Sequence, residues 1–311
     1  MKRSKITILL AIVLGMTFHS CLDLEPQDQL GGKNMWTSVN DYKQFANTFY
    51  SWTRDFSSVV YDGTHSDKRS DLITYQSYNE FSRGINSIPS SDANYTDNYK
   101  HIRRTNLLLQ NAEAYAKPED IKQYIGEAYF FRAYSYFDLL QLYGDVIITK
   151  KPLDITDPEM KVKRNDRSEV VDLIIDDLNH AVENLPAFKE LTTEEEGRIS
   201  KEGAQAFLSR VALYEGTWQK SRNGNQNTQR SANLLDIAAK AARTVIDAKY
   251  GYTFRLFGTD SETKILGDSA QKYMFILENE KSNPAGIKKS SNHEYIFARR
   301  HDQVLASIGK N

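Results

Sequence analysis

The chain has 311 residues, with 40 Lys and Arg against 41 Asp and Glu, a formal net charge of -1, 40% hydrophobic and 26% charged residues. This is the composition of a folded soluble protein of one large or two ordinary domains, and it excludes collagen-like, disordered and multi-span membrane chains. The balanced charge also argues against nucleic acid as a partner, because proteins that track phosphates carry a basic excess.

Residues 1–20 have the pattern of a signal peptide. Three basic residues precede an apolar run at 6–16, which is much shorter than the ~20 residues of a bilayer-spanning helix. The run is followed by Cys21, the only cysteine, which therefore cannot form an internal disulfide. We expect cleavage before Cys21, lipidation of its thiol and a polar tether over residues 21–34. The alternative is ordinary cleavage nearby, with Cys21 as a free or buried thiol.

Residues 35–249 are expected to form the helical body of the protein, and they show helical periodicity except in the stretch at 56–94. A first helix is predicted over residues 35–55. Asp92 is expected to cap a second helix that stops near Pro118, and Pro118 to open a third helix that ends at Gly144. Because this third helix is apolar almost all round, we expect it to be central.

Three further helices follow. Asp166 and Glu169 form a capping-box pattern before a helix that ends at Pro186, another helix starts at Ser200, and the last follows Ser231. Together the helices predict a mainly α fold of irregular stacked hairpins. The style is tetratricopeptide-like, but without the strict period of about 34 residues.

Two parts of the chain lack helical periodicity. In residues 250–311, short apolar segments at 252–257, 273–277 and 295–298 are expected to form a few short strands or loops.

Residues 56–94 predict a long irregular loop, and long loops inside compact domains tend to be functional. Its aromatic side chains suit stacking on sugar rings or peptides, and they suit core filling equally well. The candidate ligand-binding residues are Tyr61, Tyr75, Tyr78, Asn79 and Phe81, with Trp52 and Phe56 beside them.

The sequence contains no recognisable catalytic or metal-binding motif. No two of the six histidines have the i, i+4 spacing of a helical zinc site, and phosphate-loop, dinucleotide-binding and nucleophile-elbow patterns are missing. The acidic groups Asp176-Asp177 and 194–196 are candidates for a glycosidase pair, although solvated surface explains them better. Glu127 and Arg132, in the most apolar helix, are better explained by structural ion pairs or hydrogen bonds than by ligand contacts. We therefore expect no catalysis and no metal or other cofactor.

A resemblance to a known family rests mainly on residues 126–146, GEAYFFRAYSYFDLLQLYGDV. This stretch is similar to the signature helix and following turn of the SusD-like (RagB/SusD) outer-membrane lipoproteins of Bacteroidetes. Supporting stretches are residues 21–26, 95–111, 166–186, 197–218 and 292–297. Two features depart from the family pattern. Tyr95 replaces the usual Trp, and much of the family's long C-terminal region is lacking, so we expect a truncated SusD-like fold.

The resemblance implies a surface-exposed lipoprotein that is anchored in the cell outer membrane through Cys21. It implies that the protein captures glycan oligomers and delivers them to a SusC-like TonB-dependent transporter, without catalysis. It divides the mature chain into a SusD-like N-terminal helical domain at 35–249 and the start of the C-terminal region at 250–311. An oligopeptide-binding member of the family, a glycoside hydrolase and a periplasmic helical scaffold remain as alternatives.

Overall fold

The computed structural model describes residues 35–53, 84–85, 87–195, 197–222, 228–277 and 281–298. Within these ranges the fold is mainly α, as predicted, and an isolated antiparallel bridge between Val146 and Asn165 is the one β-type pairing. The α-helices in these ranges are α1 (Val39–Asn47), α2 (Ala93–Ala112), α3 (Lys122–Tyr143), α4 (Arg167–Asn184), α5 (Lys201–Arg222), α6 (Thr228–Ile246) and α7 (Ala270–Met274).

The predicted helix boundaries are confirmed where local chemistry fixes them. The Asp92 side chain accepts the Asn94 amide at 2.9 Å and caps α2. Gly144 ends α3 with φ of 73°, a conformation that glycine adopts without strain. Asp166 and Glu169 form the predicted capping box of α4, in which Glu169 Oε2 accepts the Asp166 amide at 3.0 Å.

Three boundaries differ from the prediction. Pro118 opens a 3₁₀ helix over Pro118–Ile121, and α3 itself begins at Lys122. The first helix is shorter than predicted: α1 ends at Asn47 and continues as a 3₁₀ helix over Thr48–Trp52. The last long helix begins at Thr228, so Ser231 lies inside α6 rather than before it. The Ser231 hydroxyl donates to the carbonyl of Gly216 on α5 at 2.8 Å, and it therefore joins two helices instead of capping one.

Consecutive helices pack against each other from α2 to α6, as the prediction of stacked hairpins requires. At one end of the α3–α4 pair, the start of α3 touches the end of α4. A Cβ atom added to Gly126 would lie 2.9 Å from both Cγ and the amide nitrogen of Leu185, so only glycine fits there. At the other end, the Arg167 amide donates to Asp145 Oδ1 at 2.9 Å. The two helices are therefore antiparallel and closely packed.

Helix α3 is the centre of the described fold, as its apolar circumference predicts. It lies between α2 and α4, and α1 also contacts it. Burying one large apolar side chain contributes about 1.5–3 kcal/mol, so this helix is a major source of stability. Its buried apolar side chains are Tyr124, Ala128, Phe130, Phe131, Ala133, Tyr136, Phe137, Leu139 and Leu140.

Residues 250–298 pack differently, around a small separate cluster of Phe257, Leu266, Ala270, Leu277 and Ile287. Within the described residues, the three apolar segments form loops and a short helix rather than strands. The reason is visible at Tyr252 and Phe254, whose rings pack on Phe188 at 4.6 and 5.2 Å instead of lining a paired strand. No helix in the described part of the chain is long and apolar enough to cross a bilayer.

Candidate functional site

The five candidate ligand-binding residues, Tyr61, Tyr75, Tyr78, Asn79 and Phe81, lie outside the described residues, and so does Cys21. Their roles stay predictions. Trp52, which was predicted to stand beside the aromatic loop, is described. It lies in the 3₁₀ helix Thr48–Trp52, one residue before the described chain stops at Thr53.

Trp52 begins a row of aromatic rings that crosses α2, α3 and α5. Its indole stacks on the imidazole of His101, with ring centroids 4.1 Å apart and planes 15° apart, and meets the edge of Phe131 at 5.9 Å. Phe131 contacts Tyr134 at 6.4 Å, and Tyr134 lies 5.6 Å from Phe207 on α5. The partly exposed members of this row are named the aromatic strip: Trp52, His101, Tyr134, Phe207 and Phe297.

Phe297 joins the strip from the last described segment. Its ring lies 6.2 Å from Phe130 and 6.4 Å from Tyr50, so it closes the row next to α3. His101, Tyr134, Phe207 and Phe297 are not among the candidates that the sequence predicts. The spacing of Phe130, Phe131 and Tyr134 was the available signal, because residues three and four apart share a helix face. The apolar circumference of α3 predicts burial on every side, whereas Tyr134 is partly exposed in the structure.

His101 supplies a polar group within the aromatic strip. Burial of its imidazole lowers the pKa of His101 to about 4, and the smaller effect of the Asp97 charge opposes this. The ring is therefore neutral at pH 7, with one nitrogen that donates and one that accepts hydrogen bonds. A neutral ring stacked on Trp52 suits an uncharged ligand.

A buried ion pair fixes α3 against α2 and α4. Arg132 donates from Nε to Asp177 Oδ2 at 2.8 Å and from Nη2 to Oδ1 at 2.6 Å, while its Nη1 reaches Asn106 Oδ1 at 2.8 Å. Desolvation alone would lower the pKa of Arg132, but the hydrogen bonds and charge of Asp177 raise it above its ordinary value. The structural interpretation of Arg132 is confirmed. Asp177, one of the candidate glycosidase acids, is 1% exposed and has both oxygens on Arg132.

A second ion pair ties the end of α1 to α3. Arg198, in the loop before α5, donates to both carboxylate oxygens of the fully buried Glu127 at 2.8 and 2.7 Å, and it also reaches Asn47 at the end of α1. Its guanidinium lies 5.2 Å from the ring of Tyr50. Glu127 is thus structural, as expected, and the pair steadies the 3₁₀ helix that carries Trp52.

In the parts of the chain that are described, no group of three or more His, Cys, Asp or Glu side chains is placed to hold a metal ion. The aromatic strip is thus a row of rings held on a helical body by two buried ion pairs. Such a surface can bind a ligand with flat apolar faces.

Residues 22–213 match the family model of SusD-like proteins, which is described as starch-binding and associating with the outer membrane. The chain therefore belongs to the SusD-like family, and the resemblance drawn from residues 126–146 is confirmed. SusD-like protein P38 of Formosa agariphila is 28% identical over 233 residues, which are 68% of this chain and 42% of that protein. SusD-like protein P2 of the same organism is 26% identical, covering 95% of this chain and 59% of its own length. The chain thus spans about half the length of the curated relatives it matches.

Solved structures share the fold. A SusD-like protein from Bacteroides fragilis superposes with a TM-score of 0.62 at 22% identity, covering 89% of this chain and 48% of that one. A SusD homolog from Bacteroides thetaiotaomicron gives a TM-score of 0.56 at 20% identity, covering 82% and 47%. A structure determined with a xylogluco-oligosaccharide gives a TM-score of 0.52 at 21% identity, covering 81% and 43%.

Proposed function

We propose that this chain belongs to a surface nutrient-binding lipoprotein that captures glycan oligomers and delivers them to a SusC-like TonB-dependent outer-membrane transporter. Membership of a family described as starch-binding and associating with the outer membrane supports this proposal. The similarly folded structure with a xylogluco-oligosaccharide supports the ligand class. The observation in this chain that carries the proposal is the aromatic strip from Trp52 to Phe297.

The strip suits a sugar chain for physical reasons. A pyranose ring has an apolar face of C–H groups that packs on an aromatic ring, and its hydroxyls need hydrogen-bonding partners. Trp52 and Tyr134 offer partly exposed rings, and the neutral imidazole of His101 offers a donor and an acceptor. One ring contact contributes about 0.5–1.5 kcal/mol, so several must act together. We expect weak affinity that rises with the length of the oligomer.

The remaining parts of the proposal rest on the sequence. Residues 1–20 are the signal peptide, 21–34 the lipidated tether, 35–249 the N-terminal helical domain, and 250–311 the start of the C-terminal region. Lipidation at Cys21 anchors the protein, and the aromatic loop with Tyr75 and Tyr78 extends the binding surface of the strip. The ligand is bound and passed on without turnover.

Binding is tested with the mature chain from residue 21 and a panel of oligosaccharides of increasing length and of peptides. Calorimetry follows binding and chromatography follows the products. Trp52→Leu and Tyr134→Leu should each weaken saccharide binding about fivefold, as expected for the loss of one ring contact. Phe275→Leu is the control, because Phe275 is 70% exposed and lies outside the strip.

Three results would overturn the proposal: release of shorter products at an enzymatic rate, binding of peptides alone, or unchanged binding in both strip variants. The anchor is tested separately by Cys21→Ala, which should move the protein from the membrane fraction to the soluble fraction and abolish acyl labelling. Retention of the variant together with an unlabelled wild type would show that Cys21 is not lipidated.

A further inference from the structure

A cleft opens where the end of α3, the start of α4 and the end of α5 meet. It has a volume of about 690 Å³ and is named the hairpin cleft; its walls include Tyr143, Asp145, Arg164, Arg167, Trp218 and Gln219. Tyr143 lies nine residues beyond Tyr134 on α3, a rise of ~13 Å along the helix axis. The hairpin cleft is therefore separate from the aromatic strip.

Trp218 gives this cleft a rigid apolar wall. The guanidinium of Arg167 lies 4.0 Å from the centre of the indole, and Arg167 is itself held by Glu215, with Nε 2.9 Å from Oε2. Glu215 is fully buried and also accepts a hydrogen bond from Gln219 Nε2 at 2.6 Å. A cation–π contact and a buried ion pair thus hold the partly exposed indole in place before any ligand arrives.

The cleft also carries an acidic and a basic side chain, Asp145 and Arg164, that can form hydrogen bonds. Asp145 is exposed and uses Oδ1 to accept the Arg167 amide, and no partner for its Oδ2 is found in the described residues. Arg164 is exposed, and within the same residues its guanidinium has no ion-pair or hydrogen-bond partner. The cleft therefore presents an acceptor and a set of donors beside an aromatic wall.

These features select the chemistry of the ligand. Asp145, Asp166 and Glu169 would repel an anion. The exposed cation Arg164 would oppose a positively charged ligand, and a purely apolar ligand would leave Asp145 Oδ2 and the Arg164 guanidinium without partners. A neutral sugar satisfies all of them, because its C–H face covers an indole while its hydroxyls both donate and accept.

We propose that the hairpin cleft is a second saccharide subsite, which holds a short stretch of a neutral glycan against Trp218. Its volume lies within the range of ~300–1,000 Å³ that is usual for small-ligand pockets. Asp145 and Arg164 hydrogen-bond the hydroxyls, and Arg167 positions the indole through its cation–π contact. The choice of glycan rests on the proposed function, but the site itself is additional to the aromatic strip.

The number of sites is measured by calorimetry with neutral oligosaccharides on the mature chain. The wild type should bind at two sites. Trp218→Leu should weaken the cleft site and leave the strip site unchanged, whereas Trp52→Leu should weaken the strip site about fivefold and leave the cleft site unchanged. Asp145→Asn and Arg164→Ala should each weaken cleft binding about tenfold, as expected for loss of a hydrogen bond to a charged group. Both side chains are exposed, so the thermal unfolding midpoint should stay unchanged, which separates binding from folding.

Fluorescence gives an independent readout. The chain contains three tryptophans, and the double variant Trp36→Phe, Trp52→Phe leaves Trp218 alone. Its emission should shift when saccharide is added, and about tenfold more saccharide should be needed for the same shift when Arg164→Ala is introduced. Three results would overturn the inference. They are a Trp218 emission that does not change with saccharide, a single wild-type site that only Trp52→Leu weakens, and binding of peptides at the cleft. If instead neither site bound any saccharide, the proposed function itself would fail.

Discussion

Helix α3 and residues 250–298 bury their apolar side chains in contrasting ways. The apolar side chains of α3 point in all directions and are covered by α1, α2 and α4, and even its charged Glu127 is 0% exposed. In the later segment, Leu256 is 66%, Ile265 75% and Phe275 70% exposed. A regular helix with neighbours on several sides can hide its whole circumference, whereas irregular backbone with few neighbours cannot. The stability of the described fold therefore resides in the helical hairpins.

The strongest way to test this contrast is to truncate one large side chain of α3. Phe137 is 5% exposed, and its ring meets Phe207 and Tyr214 edge-on at 5.5 Å. Phe137→Ala should lower the free energy of unfolding by about 3–5 kcal/mol, because it removes buried area and leaves a cavity. Urea unfolding followed by circular dichroism measures this loss. A change below 1 kcal/mol would show that α3 is not central.

An effect of similar size is expected from breaking the ion pair beside α3. Asp177→Ala leaves Arg132 buried without its carboxylate and should lower the free energy of unfolding by about 3–5 kcal/mol. Glu159→Ala is the matched control, because its 2.7 Å pair with Lys151 is about half exposed on both sides. That change should remain within about 1 kcal/mol. Equal losses in the two variants would contradict the special role of the buried pair.

Close packing at the α3–α4 contact predicts a smaller effect. Gly126→Ala would bring a Cβ to 2.9 Å from the Leu185 amide nitrogen and 3.1 Å from the Asn184 carbonyl carbon, and backbone atoms cannot move aside cheaply. The free energy of unfolding should fall by about 1–3 kcal/mol. Gly203→Ala is the comparison, because its nearest neighbour is the end of the flexible Ile199 side chain. A smaller loss is expected there, and the reverse order would refute this account.

How far the sequence could predict the structure depends on whether the deciding interaction is local or lies between distant residues. The boundaries at Asp92, Gly144 and Asp166 were predictable because capping chemistry acts over a few residues. The partner of Arg132 was not, because Asp177 lies 45 residues further along the chain, and only the register of α3 against α4 brings them together.

In the candidate site, one residue was predictable from the sequence and the others were not. Trp52 was singled out because it stands at the edge of an aromatic loop. His101 and Phe207 joined it only in the structure, since each comes from a different helix and periodicity does not define how helix faces align. In residues 250–298 the apolar residues recur with no regular spacing, so the sequence could not distinguish strands from loops.

The aromatic strip adds a dependence of stability on pH. The pKa of His101 is about 4 in the folded protein, against 6.5 for an ordinary histidine. The unfolded state therefore binds the proton first as the pH falls, and stability that is full above pH 6.5 declines toward pH 4. Between pH 7 and pH 5 the loss should be about 1 kcal/mol, since the ring is only partly buried. Urea unfolding at the two pH values measures it, and His101→Phe should remove this component. An unchanged pH profile in that variant would count against the assignment to His101.

The smallest effect is expected in residues 250–298, where the same kind of truncation that damages α3 should be nearly silent. Leu256 is 66% exposed, so Leu256→Ala removes little area that folding had buried, and the free energy of unfolding should change by no more than about 0.5 kcal/mol. Urea unfolding beside Phe137→Ala makes the comparison direct, with one apolar side chain shortened in each region. A loss above 1 kcal/mol would mean that Leu256 is covered in solution. Unfolding at two protein concentrations then identifies the cause, because cover by a second molecule makes the midpoint rise with concentration, and cover within the chain does not.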